Sequence, residues 1–177
     1  MRKEILVHTI FFVSLFLFVS AFKNFLQITF FPFWIGGLIG TLLPDIDHLI
    51  YVYFLRPSEL TSLRTQSLLA KREIFATLNL LSITRSERKH LIFHTFTFQV
   101  IFVLFSFFVI SSSGSLLGRG LVIAFLLHLL LDQFIDFLSL GHIQNWFGQI
   151  NFIFDRQKTK IYLFVQLGIL LLLGFIF

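Results

Sequence analysis

Five apolar runs restrict this chain to one kind of architecture. Residues 5–22, 25–44, 90–110, 119–140 and 161–177 are dominated by Leu, Ile, Val and Phe. Each is close to the about 20 residues that cross a bilayer as a helix. Inside hydrocarbon every backbone N–H and C=O needs a partner within the protein, so such runs form helices. A chain with 56% hydrophobic and 13% charged residues and a mean hydropathy of +0.89 has no soluble alternative. The expected fold is a single all-α integral membrane domain over 1–177, with about five transmembrane helices and one amphipathic interfacial helix. The first run has a basic start and ends near Val19-Ser20-Ala21, as a signal peptide does. It is longer than the usual apolar segment of a leader and further spans follow, so it reads as a retained helix.

The charges orient these helices. Of the 14 Lys and Arg residues, two are Arg2 and Lys3, seven fall between Arg56 and Lys89, and three are Arg156, Lys158 and Lys160. Cytoplasmic loops carry such clusters, which places the N-terminus inside and the C-terminus outside an inner (plasma) membrane. Clusters of this kind set topology, and no nucleic-acid binding is expected from them. Between Glu59 and Ser82, Leu60, Leu63, Ile74, Phe75, Leu78 and Leu81 recur at helical spacing, broken by Arg64, Lys71 and Arg72. A cytoplasmic amphipathic helix over about 58–82, lying on anionic lipid, fits that pattern, and so does a solvated linker helix. Residues 49–55 are too short to span and are expected at the interface. Trp146 reads as an interfacial anchor, and Gly36 and Gly40 have the spacing that lets helices approach closely.

Ionisable residues inside such runs are costly unless they pair, meet water or bind a metal. Leu42-Leu43-Pro44-Asp45-Ile46-Asp47-His48 sets two carboxylates and an imidazole at the end of the second run. His8 and His94 lie about one turn into the first and third runs. His128, Asp132 and Asp136 share one helical face at i, i+4, i+8. Under the charge-derived topology all of these converge at one level of the inner leaflet. Cysteine is absent, which leaves His and carboxylate as the strong donors. The expected metal ligands are His8, Asp45, Asp47, His48, His94, His128 and Asp132. They would hold one or two divalent ions, Zn²⁺ first, with Mn²⁺, Fe²⁺ or Mg²⁺ as alternatives. Asp47 is the expected general base, and Arg88 and Lys89 the groups that attract an anionic headgroup. The same residues admit other readings. His8 suits an interfacial helix start, Asp45 and Asp47 suit helix caps, and Asp132 suits an ion pair within the bundle.

These motifs resemble the LexA-regulated, membrane-bound, predicted metal-dependent hydrolases of bacteria and archaea. The resemblance rests on Leu42 to His48, on His8 near the N-terminus, on His94-Thr95 opening a later helix, and on His128 to Asp132 as His-x-x-x-Asp. Before His94 the chain departs from the family pattern, with Lys89 and His90 where that family has His-Arg. The resemblance implies a multi-helix membrane protein with a metal-dependent hydrolytic site. A distant similarity to zinc phospholipase C and P1-type nucleases implies phosphoester chemistry, and the position of the residues in the inner leaflet favours a lipid-like phosphoester substrate. Two rivals use the same residues: a metal-ion or proton transporter, and a non-catalytic scaffold with a structural metal.

Overall fold

The computed structural model describes residues 2–84, 87–88, 91–148 and 155–176; Lys89 and His90 lie outside them. The described residues form helices and turns without a strand. Among the described residues eight α-helices run in order: α1 (Arg2–Lys23), α2 (Phe31–Leu42), α3 (Ile46–Ile50), α4 (Leu60–Ala70), α5 (Ile74–Ile83), α6 (Phe96–Ser112), α7 (Leu116–Leu140) and α8 (Arg156–Ile176). Four helical segments among these residues are long and apolar enough to cross a membrane: Glu4–Lys23, Ile28–Leu55, Leu116–Leu140 and Arg156–Phe175. The chain is an all-α membrane protein. Helix α6, expected as a further span, has 17 residues, about 25 Å of rise against a hydrocarbon core of about 30 Å.

Local chemistry sets the helix ends. α1 stops at Asn24, whose φ of 58° lets Phe25 N–H reach Ser20 O at 2.7 Å, a left-handed turn that closes the last carbonyls. The second helix begins at Phe31 rather than at residue 25, after a 3₁₀ turn at Ile28–Phe30, with Pro32 in its first turn. Pro44 has no N–H to donate, so the backbone passes through i→i+3 bonds, such as Asp47 N–H to Pro44 O at 3.1 Å. It then resumes as α3 and a π-turn at Tyr51–Leu55. Residues 49–55 thus continue the second rod instead of running separately along the interface.

The amphipathic helix expected over 58–82 is two helices. Arg72 has a φ of 60° and Glu73 N–H bonds Leu68 O at 3.0 Å, which ends α4 and sends the chain back as α5. α6 starts at Phe96, capped by the Thr95 hydroxyl, because the amides before it are engaged elsewhere. α8 starts at Arg156, ahead of the expected residue 161. There the Lys158 amide donates to the Asp155 carboxylate at 2.7 Å and holds that carboxyl below its usual range.

α7 is the axis of the molecule. In its most apolar window 78% of residues are buried, against 22–28% in the other three spans. It packs on α1, α2, α6 and α8. Contact with α2 is closest: a β-carbon on Gly36 or Gly40 would run into the carbonyls of Leu117 or Leu121, and one on Gly120 into that of Phe33. Backbone-to-backbone packing of this kind fixes the register of α2 on α7. It brings the residues just beyond α2 beside the middle of α7.

Candidate metal centre

The structure divides the seven expected ligands. His8, His128 and Asp132 form the group able to hold a metal ion, with one donor atom from each within 4.8 Å of the others. His8 Nε2 lies 3.2 Å from Asp132 Oδ1, and His128 Nε2 lies 3.5 Å from Asp132 Oδ2. The two imidazole rings stand with centroids 4.5 Å apart. Asp45 is at the rim, its Oδ1 3.6 Å from His128 Nε2.

Asp47 and His94 stand behind Asp132. The Asp47 carboxylate accepts the amides of Ile92 (2.9 Å), Phe93 (2.6 Å) and His94 (3.2 Å), and its Oδ2 is 3.0 Å from His94 Nδ1. The other ring nitrogen of His94 is 3.0 Å from Asp132 Oδ2. Asp47 therefore does not join the donor group or stand where a general base would act. It pins the extended segment ahead of α6 and, through His94, orients Asp132. His48 is also outside the group. Its ring stacks on His94 with centroids 5.2 Å apart, and its Nδ1 accepts from Arg88 Nε at 3.4 Å.

Arg88, expected to attract substrate, is buried and donates to Leu81 O and to the carbonyl and hydroxyl of Thr84. It ties the end of α5 to His48. Lys89, its expected companion, lies outside the described residues.

The donors fit a cation on elementary grounds. A carbonyl oxygen only accepts, so His8 Nδ1, 2.9 Å from Glu4 O, carries the proton of the neutral ring. In that neutral ring the Nε2 lone pair faces a carboxylate oxygen 3.2 Å away, acceptor against acceptor. His8 Nε2 and both ring nitrogens of His128 are buried and make no hydrogen bond. Such groups carry a large desolvation cost. A single cation among His8, His128 and Asp132 satisfies both lone pairs and the carboxylate together.

A cavity of about 230 Å³ lies beside the centre. His94 and His48 reach it, His8, His128 and Asp132 do not, and Glu4, Asp136 and Trp146 also line its wall. Trp146 is no interfacial anchor: it is buried, donates to Asp136 Oδ2 at 2.8 Å and covers His94 with centroids 5.3 Å apart. Glu4 accepts from the Ser82 hydroxyl at 2.8 Å, joining α1 to α5. Sequence reasoning passed over Glu4, although it stands four residues before His8 on the same face.

It also passed over a second polar cluster, Gln99, Gln133, Tyr162 and Gln166. Gln133 and Gln99 bond reciprocally at 2.8 and 3.5 Å, and Tyr162 OH donates to Gln99 Oε1 at 2.6 Å. Gln166 Nε2 donates to Tyr162 OH at 2.6 Å. Three glutamines inside apolar runs were the available signal. No family model matches the chain, and no curated protein and no solved structure matches it.

Proposed function

We propose that the chain is a membrane-embedded, metal-dependent hydrolase acting from the cytoplasmic side on a phosphoester, lipid-like substrate. The observation that carries this reading is the convergence of His8 Nε2, His128 Nε2 and the Asp132 carboxylate within 4.8 Å of one another inside the bundle. Two imidazoles and carboxylate oxygen suit Zn²⁺ first and Mn²⁺ or Fe²⁺ next. Such an ion, when bound, lowers the pKa of water and stabilises an anionic transition state. The protein's part is to hold the donors still: Glu4 O sets the His8 ring, and Asp47 with His94 sets Asp132. The resemblance of Leu42 to His48 and of His128 to Asp132 to the membrane hydrolase family agrees with this chemistry.

Packing favours hydrolysis over transport. Further along α1 and toward the N-terminal ends of α2 and α7, the bundle interior is filled by Phe12, Phe16, Phe33, Val122 and Ile123. An ion leaving the centre in that direction would meet apolar side chains. The test is elemental analysis of detergent-purified protein beside His128→Ala, followed by hydrolysis assays on phosphoester lipids. The expected result is stoichiometric metal in the wild type, lost in the variant together with any hydrolysis. Well-folded wild type that stays metal-free after soaking in Zn²⁺, Mn²⁺ and Fe²⁺ would overturn the proposal.

A further inference from the structure

Asp45 differs from the other side chains at the centre in one respect. The side chains of His8, His128 and Asp132 are 12%, 4% and 3% exposed, whereas that of Asp45 is 58% exposed. Its position just before α3 suits a helix cap, yet its side chain makes no capping bond. Its backbone is held by the turn after Pro44, with Asp45 N–H on Leu42 O at 3.2 Å and His48 N–H on Asp45 O at 3.1 Å. The carboxylate is left on the outward side of His128, the ring whose two nitrogens have no hydrogen-bond partner.

The neighbouring cavity does not reach the three donors: His48 and His94 line it, but His8, His128 and Asp132 do not, and both nitrogens of the His94 ring are engaged by Asp47 and Asp132. Asp45, 3.6 Å from His128 and 58% exposed, thus marks the side from which an ion held by His8, His128 and Asp132 meets the surroundings. Catalytic metal sites pair three protein ligands with one exchangeable position, whereas structural sites are closed on all sides.

We propose that Asp45 is the labile ligand of the centre. It covers the outward face of the ion at rest and gives up that position to water or to a phosphoryl oxygen. His8, His128 and Asp132 retain the ion throughout. The residues around Asp45 are apolar and face outward, with Leu42 66%, Ile46 43% and Leu49 42% exposed. A phosphoester reaching the ion by this face would bring its apolar portion alongside them. The assignment rests on the metal reading above and goes further, because it separates a catalytic centre from a structural one.

The experiment loads wild type, Asp45→Asn and Asp132→Asn with Mn²⁺ and with Co²⁺. It follows metal affinity, water-proton relaxation by Mn²⁺, and the visible spectrum of Co²⁺ during titration with inorganic phosphate. Asp45→Asn should keep the ion, with a loss of affinity far smaller than that of Asp132→Asn. It should show faster water relaxation and respond to phosphate at lower concentration than wild type. Asp132→Asn should lose the ion. Asp45 is exposed, so its variant should melt with the wild type, and a thermal scan checks this. Loss of the ion from Asp45→Asn as complete as from Asp132→Asn would overturn the assignment, as would relaxation and spectra identical to wild type. Wild type that binds neither ion removes the metal reading itself, a result distinct from both.

Discussion

Asp132 and Gln133 are consecutive residues of α7, and their side chains enter two different polar clusters. Around Gln133 the accounts close: the amides of Gln99 and Gln133 exchange bonds, and Tyr162 and Gln166 take up what is left. Around Asp132 they do not close. Buried His8 Nε2 lies 3.2 Å from a carboxylate without a hydrogen bond, and His128 has none on either nitrogen. Both clusters are buried, and both join helices that lipid alone would not hold in register. A closed network staples α6, α7 and α8, while an open one has a place for a guest. Burial of polar groups in a membrane bundle is thus no guide to function until their donors and acceptors are counted.

Three substitutions test that contrast. The largest effect is expected from Gly40→Val, which drives a side chain into the Leu121 carbonyl and parts α2 from α7. Overpacking of this kind costs about 1–3 kcal/mol or more. It should also displace Asp45 and Asp47 together, so metal binding weakens by more than either single change would weaken it, while the glutamine network on the other face of α7 stays formed. Thermal melting in detergent with elemental analysis checks both outcomes. Metal retained at full stoichiometry would mean that α2 does not set the centre.

Asp47→Asn should follow. It removes the charge that accepts three amides and faces His94, and it acts on the ion only through His94 and Asp132. A loss of about tenfold to a hundredfold in metal affinity is expected, measured by chelator competition. An effect as complete as that of His128→Ala would instead make Asp47 a ligand. The smallest effect should come from Gln133→Leu, which opens the closed cluster alone. About 0.6–2 kcal/mol of stability should go, with metal affinity unchanged. Altered metal binding there would show that the two clusters are coupled along α7.

Much of this was legible in the residues. Apolar runs placed α1, α7 and α8 to within a few positions, and the i, i+4 spacing of His128 and Asp132 put both on one buried face. Gly36 and Gly40 announced a close helix contact and made one. The break at Arg72 was hidden, because a left-handed turn at a charged residue leaves the apolar periodicity on either side intact. Trp146 was misplaced because interfacial and core tryptophans look alike until the partner of the indole N–H is known.

By itself, the sequence determined that the chain forms helices long and apolar enough to cross a membrane and that His8, Asp45, Asp47, His94, His128 and Asp132 are held near one another. Those properties follow from hydropathy, helical period and the cost of charge in hydrocarbon, which act over neighbouring residues. Tertiary structure alone decided which donors meet. Asp47 and His48 adjoin Asp45, yet Asp47 is consumed by amides 45 to 47 residues away and His48 by Arg88, 40 residues away. A carboxylate is equally able to bind an ion or to accept backbone N–H groups. Which it does depends on what the fold brings within 3 Å, and local sequence carries no record of that distance.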